Sequence, residues 1–167
     1  MKANFILPLF LFCLFLFAGT DADAQSKKEK QKAKAEAISK LLDSKQFVFK
    51  PQTALPLRGG SINLTSDFDL VIKNDTLKSY LPYYGRAFAS VPYGATRSPL
   101  SFTTTDFKYT SVKGKKGSRQ INIEVKDKSL DVRKFYLDVS EAGYATLQTS
   151  DYNRDPITFN GYIEPLK

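Results

Sequence analysis

The chain has 167 residues, with 25 lysines and arginines against 17 aspartates and glutamates, no histidine and one cysteine, and its net charge at pH 7 is +8. A chain without histidine lacks the usual general base of serine hydrolases and the common ligand of catalytic zinc. These features argue against most hydrolase and zinc-enzyme classes, and we expect neither a metal nor a cofactor. The positive charge favours acidic partners.

Residues 1–24 have the pattern of a secretory signal peptide. Lys2 gives a positive start, Phe5–Phe17 is apolar apart from one proline, and residues 22–24 have the small-x-small sequence that a signal peptidase reads. We expect cleavage after Ala24. The apolar run is shorter than the roughly 20 residues of a membrane span, although a retained anchor is the alternative.

The single cysteine, Cys13, lies inside the apolar run and not at the cleavage site. It therefore does not fit a lipoprotein anchor, and the mature chain would contain no thiol. Removal of residues 1–24 takes away one lysine and two aspartates, which raises the net charge from +8 to +9. We expect a periplasmic or secreted protein without a transmembrane segment after cleavage.

Residues 26–45 have the helical pattern of the mature chain, within a basic N-terminal segment that we place at 25–45. Strong helix formers fill this stretch, and its apolar residues recur at helical spacing: Ala33, Ala37, Ile38, Leu41 and Leu42. The stripe thickens toward its C-terminal end, which predicts packing near Leu41 and fraying near Lys27. We expect the helix to dock on a sheet. The alternative is a basic amphipathic helix on anionic lipid.

From Gln46 onward the apolar residues recur with a period of two, which indicates strands. Turn residues separate the runs, at 74–75, 113–117 and 141–143, and residues 51–60 are rich in turn formers. We predict a β domain over 46–167 with eight or nine antiparallel strands. The fold class is mainly all-β, a rolled antiparallel sheet, either barrel or sandwich, with one N-terminal α-helix. The predicted strands are 47–49, 61–65, 68–73, 77–81, 106–112, 121–125, 130–139, 144–149 and 157–163.

The segment 80–94 is the most unusual part of the sequence. It holds four tyrosines, one phenylalanine, two prolines and two glycines. Tyrosine offers a flat apolar face with a polar tip, and arginine offers a planar fork for carboxylate or phosphate. We predict a binding surface formed by Tyr83, Tyr84, Arg86 and Tyr93, with Arg86 pairing to an acidic group. The alternative is a bend at a barrel corner whose aromatic rings fill the core.

Two carboxylates suggest a hypothesis of another class. Asp67 and Asp69 are two residues apart, so on a strand they share a face. A pair of carboxylates can hydrolyse a glycosidic bond when it is suitably placed. This reading predicts a carboxylate-dependent hydrolase, whereas capping of a turn or plain exposure is the simpler interpretation.

Several stretches together resemble a known family. The run of 47–49, Thr53-Ala-Leu-Pro, 61–70, 80–88 and Pro92-Tyr-Gly is similar to the family called domain of unknown function 4251, across roughly 36–164. The resemblance implies a small exported protein of Gram-negative bacteria with a β-rich domain. It implies no activity, substrate or catalytic residue. Many members have lipoprotein-like signals, from which this chain departs at Cys13.

These observations favour an exported, non-enzymatic binding or envelope-associated β domain. Its partner would be an unknown ligand or envelope protein, with an acidic one favoured by the charge, and we expect no nucleic acid partner. We expect a monomer. The hydrolase that uses Asp67 and Asp69 and a peripheral membrane protein held by the lysine-rich helix are the two alternatives.

Overall fold

The structure is a computed structural model that describes residues 21–88 and 98–166 of the chain. In this part, one α-helix precedes ten strands that form an antiparallel sheet nearly closed into a barrel. The predicted fold class is confirmed. The elements are α1 Asp21–Asp43, β1 Gln46–Pro56, β2 Ile62–Asn63, β3 Asp69–Lys73, β4 Thr76–Tyr80, β5 Ser101–Thr104, β6 Phe107–Lys113, β7 Arg119–Val125, β8 Val132–Val139, β9 Tyr144–Asp151 and β10 Ile157–Pro165.

Two consecutive strands bring the edges of the sheet together. The strand order is β5-β4-β3-β1-β10-β9-β8-β7-β6, with β2 paired to β1. Strand β5 pairs with β4, and after the two residues Thr105 and Asp106 the chain continues as β6, which pairs with β7. One nearly continuous run of chain therefore forms both edges of the sheet and brings them together.

Alternation along the strands directs one set of side chains into the barrel. In β8 and β9 buried and exposed residues alternate almost without interruption. The rings of Phe102 in β5 and Phe135 in β8 stack across the interior, with their centroids 6.1 Å apart. The largest fully buried side chains come from the helix, from six strands and from residues that flank β4 and β5: Leu42, Phe47, Phe49, Leu70, Ile72, Leu77, Leu81, Leu100, Ile121, Ile123, Phe135 and Phe159.

The structure differs from the predicted strands in two places. Residues 51–56, which we predicted to be irregular, continue β1. They do so because Pro51 lies at a β-bulge, where the register with β10 shifts between Pro51 and Thr53, and prolines are tolerated at bulges. Strand β5 was not predicted, because a four-residue run of serine, threonine and one phenylalanine carries too short an alternation to be recognised.

Helix α1 docks through its C-terminal part. Residues 26–34 are exposed, whereas Leu42 is fully buried and Ile38 and Leu41 pack against the core. This confirms the predicted docking near Leu41. The helix begins five residues before the predicted Ser26 and ends at Asp43. It ends there because Lys45 adopts a left-handed conformation with φ of 52°, which cannot continue a helix.

Polar contacts hold the end of α1 against β6 and β7. The hydroxyl of Tyr109 donates to the carbonyl oxygen of Leu42 at 3.0 Å. Arg119 forms an ion pair with Asp43 and donates through Nε to Ser111 at 3.2 Å. The ammonium of Lys45 lies 5.4 Å from the centre of the Tyr109 ring. Tyr109 thus gives a second partner to a carbonyl in the last turn of the helix, which also accepts from the amide of Lys45 at 3.3 Å.

The Tyr109 contact predicts a loss of stability at alkaline pH. Burial raises the pKa of Tyr109 to about 12 from the ordinary 10.0, so the folded chain holds this proton more tightly than the unfolded chain does. The contribution is complete below pH 10 and disappears as the pH rises from 10 to 12. Because the ring is partly exposed, we expect a loss of no more than about 2 kcal/mol. Urea unfolding between pH 9 and 12 measures it.

Tyr109→Phe is the control for this titration, since it removes the ionisable group and keeps the ring. We expect the variant to show a smaller fall in unfolding free energy between pH 10 and 12 than the unmodified protein. Equal falls in the two proteins would contradict the assignment to Tyr109.

Candidate functional site

The two ends of the barrel have different chemistry. Helix α1 lies at the end formed by the β3–β4, β6–β7 and β8–β9 turns, where the amide of Asn74 donates to the carbonyl of Lys45 and Ile38 lies beside Gly143. We call the opposite end the aromatic end. It gathers residues 80–88, the β7–β8 connection and the β9–β10 connection. The candidate site consists of residues 80–88 and the cleft beside them, and the two connections support residues 80–88.

Backbone hydrogen bonds fix residues 86–88 on the β9–β10 connection. The amide of Phe88 donates to the carbonyl of Asn153 at 2.7 Å, and the amide of Asp155 donates to the carbonyl of Arg86 at 3.0 Å. Ala87 and Arg154 form an antiparallel bridge. The segment that follows β4 therefore has a defined path across the aromatic end.

Tyr83 links the same two segments through its side chain. Its hydroxyl lies 3.0 Å from the carbonyl oxygens of both Arg86 and Asp155, to which it donates. Burial, and then the negative charges of Asp155 and Asp151, raise the pKa of Tyr83, so the hydroxyl keeps the proton that it donates. Tyr83 thus positions the segment with its hydroxyl, and only its ring is available to a ligand.

A cluster of ion pairs holds the β9–β10 connection to the neighbouring β7–β8 connection and to the end of β9. The guanidinium of Arg154 lies 2.5 Å from Asp131 and 3.5 Å from Asp151, and both Arg154 and Asp151 have largely buried side chains. Arg133 lies over the ring of Tyr152, 4.4 Å from its centre. The surface on which residues 86–88 rest is therefore itself held by paired charges.

A cleft of about 870 Å³ opens beside this segment. The rings of Phe68, Tyr80 and Tyr83 and the side chain of Lys78 contribute to its lining, and the centroids of Phe68 and Tyr80 are 5.4 Å apart. Its lining is polar and apolar in about equal parts and includes one cation, which suits a partly apolar ligand that carries polar groups and a negative charge.

Exposed aromatic rings surround the cleft region. Phe88 and Tyr152 are 72% and 65% exposed, and Tyr80 and Tyr84 are also exposed. Large aromatic side chains are normally buried, and several of them on one end of a domain mark a contact surface. The aromatic end therefore combines a cleft with an exposed aromatic rim.

The structure brings three of the four predicted site residues to this end. Tyr83 lines the cleft, whereas Tyr84 and Arg86 are exposed on the segment beside it and do not contribute to its lining. Tyr93 lies outside the described residues. Sequence reasoning missed Phe68, Lys78 and Tyr152. The alternation in β4 could have indicated Lys78 and Tyr80, because side chains alternate between the two faces of a strand and Leu77 and Ser79 are buried.

The carboxylates of the hydrolase hypothesis do not form a catalytic pair. Asp67 is exposed before β3 begins, and Asp69 lies 3.7 Å from the ammonium of Lys50. Neither residue lines the cleft. Within residues 21–88 and 98–166, no group of three or more acidic residues is arranged to hold a metal ion. The geometry gives the hydrolase hypothesis no support.

The lysine-rich part of α1 lacks the apolar face that a helix needs to insert into lipid. The more strongly apolar side chains of α1, Ile38, Leu41 and Leu42, lie in its C-terminal part and face the barrel. The exposed residues 26–34 therefore offer lysines but little apolar surface. In the described part of the chain, no helix has the length and apolarity of a membrane span.

Tyr83→Phe tests the positioning role of the Tyr83 hydroxyl. Loss of this donor takes a hydrogen bond from the carbonyl of Asp155, while the carbonyl of Arg86 still accepts from the amide of Asp155. The change should lower the free energy of unfolding by about 1 kcal/mol and the melting temperature by roughly 3 °C. Hydrogen exchange should become faster at the amides of Phe88 and Asp155 before it does in β8 and β9. Tyr144→Phe, which removes a hydroxyl from an exposed ring near the helix end, is the control and should leave both quantities unchanged.

Comparisons with known proteins identify a family to which the sequence and the fold are similar. A family model described as domain of unknown function (DUF4251) matches residues 29–163. The crystal structure of a DUF4251 family protein from Bacteroides eggerthii DSM 20697 is similar, with a TM-score of 0.57 and 16% identity over 81% of this chain and 91% of that chain. Among curated proteins, none matches the sequence significantly. The resemblance that we inferred from the motifs is confirmed, and the chain belongs to the DUF4251 family.

Proposed function

We propose that the protein is an exported binding module that holds a partly apolar, acidic ligand at the aromatic end of its barrel. The observation that carries this proposal is the cleft of about 870 Å³ in which aromatic rings stand beside Lys78. Aromatic rings supply contact area at a low entropic cost, and the ammonium selects for negative charge. Arg86 on the neighbouring segment adds a second cation for an acidic group.

The stable attachment of the segment supports binding over simple core filling. The Tyr83 hydroxyl and the backbone bonds of residues 86–88 hold the path of the chain, while Tyr80, Tyr84 and Phe88 remain exposed. A surface that is already ordered before it meets its ligand loses less entropy on binding. Leu81 and Pro82 of the same segment are buried, and for these two residues the alternative interpretation of the segment, as part of the core, holds.

Native mass spectrometry of the protein purified from its own cell envelope tests the proposal. We expect a reproducible additional mass on the unmodified protein, and its loss in the double variants Lys78→Ala/Tyr80→Ala and Tyr84→Ala/Arg86→Ala. These side chains are exposed, so the variants should keep the fold, which circular dichroism verifies. Tyr144→Ala removes an exposed tyrosine away from the aromatic end and should retain the mass.

Two results would overturn the assignment. The additional mass could persist in both double variants and so belong elsewhere on the protein. Alternatively, the double variants could unfold, which would make these residues part of the core and not of a binding surface.

Export is the second element of the proposal, and it rests on residues 1–24. The charge at Lys2, the apolar run and the small residues at 22–24 support cleavage after Ala24 and a periplasmic or secreted monomer. The intact mass of the protein recovered from the envelope fraction tests this. A chain that begins at Gln25 is expected, and a chain that retains Phe5–Phe17 would contradict cleavage.

A further inference from the structure

The outer face of strands β6–β9 carries a groove that combines apolar surface with polar, mostly uncharged side chains. Side chains that alternate with the core residues point outward there and line a shallow depression of about 530 Å³. Its polar side chains are amides, two threonine hydroxyls, a carboxylate and one tyrosine: Thr110, Gln120, Asn122, Tyr136, Asp138, Thr146 and Gln148. Val112 adds an exposed apolar side chain. This groove is on the side of the barrel and is separate from the aromatic end.

Strand register arranges these side chains in two rows across the sheet. Tyr136 in β8 pairs with Asn122 on one side and Gln148 on the other. Two residues further along, Asp138 lies in the same way between Gln120 and Thr146. Four strands at about 4.8 Å spacing make each row about 14 Å long, and the rows are about 7 Å apart. The groove is therefore an elongated strip that crosses the strands.

The charge of the groove contrasts with that of the chain. The protein has a net charge of +8, yet Asp138 is the one charged residue in this lining and it is negative. On the same face, the charged residues Lys108, Glu124 and Lys134 begin only in the next row. Asp138 would repel an anionic ligand, and the net charge of +8 disfavours a cationic one, so the groove favours a neutral ligand.

The lining groups suit a ligand with many hydroxyl groups. Each amide both donates and accepts hydrogen bonds, and a carboxylate accepts from two hydroxyls. Tyr136 is 43% exposed and lines the groove, so its ring is available as an apolar contact surface.

We propose that this groove binds a neutral oligosaccharide laid across strands β6–β9. Its hydroxyl groups pair with Gln120, Asn122, Asp138 and Gln148, and the C–H face of one sugar ring stacks on Tyr136. A second copy of the chain fits less well, since a stable dimer buries about 800 Å² per partner, whereas a strip of roughly 14 by 7 Å is far smaller. The proposal is independent of the ligand at the aromatic end.

Titration of the isotope-labelled protein with linear neutral hexasaccharides of glucose, mannose and xylose tests this site by NMR. With at least one sugar we expect saturable shifts at up to about 10 mM ligand, a weak affinity. The shifts should include the side-chain amide signals of Gln120, Asn122 and Gln148. Tyr136→Ala and, separately, Gln148→Ala should weaken binding at least about fivefold. Leu57→Ala, which truncates an exposed side chain outside the groove, is the control and should bind as the unmodified protein does.

Three outcomes would overturn the proposal. One is the lack of saturable shifts with every sugar in the panel. Another is shifts confined to the aromatic end, which would place the sugar in the other site. The third is that the signals of β6–β9 move with protein concentration alone, which would show that a second copy covers the groove. The spectrum of each variant reports its fold, and Gln148→Ala keeps the test available if Tyr136→Ala is unfolded.

Discussion

Gly161→Ala should destabilise the protein by about 3 kcal/mol, because there is no room for a methyl group at this position. Gly161 in β10 pairs with Pro51 at the bulge of β1. A Cβ atom at Gly161 would overlap the carbonyl oxygen of Lys50 and would lie 2.8 Å from the Cα atom of Pro51. Both atoms belong to the backbone, so no side-chain rotation can relieve the overlap. Strand β1 would have to move away from β10, against which it packs along nearly its whole length.

Urea unfolding at neutral pH measures this effect as a lower midpoint with an unchanged slope. Gly60→Ala is the matched control, since Gly60 is exposed and a Cβ atom there meets nothing within 4 Å. We expect the control to change the free energy of unfolding by less than about 0.5 kcal/mol. Similar stabilities for the two variants would show that β1 and β10 do not approach each other as closely as described.

Leu42→Ala should cost about 3 kcal/mol and release α1 from the barrel. Leu42 is fully buried, and it is the helix residue that enters the core most deeply. Residues 26–34 make no buried contact, so the helix depends on the short stretch from Ile38 to Asp43. A cavity at Leu42 also weakens the support of the hydrogen bond from Tyr109. Hydrogen exchange should therefore become faster in residues 38–45 before it does in the strands.

Leu57→Ala is the control for this prediction, because the same change is made at a side chain that is 60% exposed. It should leave the stability within about 0.5 kcal/mol. If Leu42→Ala lowered the stability of the whole barrel without any early exchange in α1, the helix would be an integral part of the core and not an element that undocks by itself.

Alternation and helical spacing allowed much of the local structure to be predicted. Residues 26–45 were assigned to a helix that packs near Leu41, and the strands of the C-terminal half were located to within a few residues. These predictions succeed because the burial of a side chain in a strand or helix depends on neighbours two to four residues away, which the sequence displays directly. The second half of β1 was missed because its prolines hide the period of two, and β5 was missed because it is a short polar run.

The composition of segment 80–94 identified an aromatic site but not its partners. Tyr83, Tyr84 and Arg86 were predicted together, whereas Phe68 and Tyr152 join them only through strand pairing and the β9–β10 connection. The hydrogen bond from the Tyr83 hydroxyl to Asp155 joins residues that are 72 positions apart, and no pattern in the sequence near either residue predicts it. Sequence reasoning therefore described the chemistry of one segment and not the surface of which it is a part.

The sequence by itself determined the mainly β class, the docking helix, the family and the side chains that turn inward. Only the tertiary structure decided that β1 lies between β3 and β10, that Gly161 faces the bulge at Pro51, and that side chains from four strands form one groove. The physical reason is the range of the interactions. A period is set by adjacent residues, whereas the pairing of β1 with β10 joins residues about a hundred positions apart and is fixed by the packing of the whole barrel.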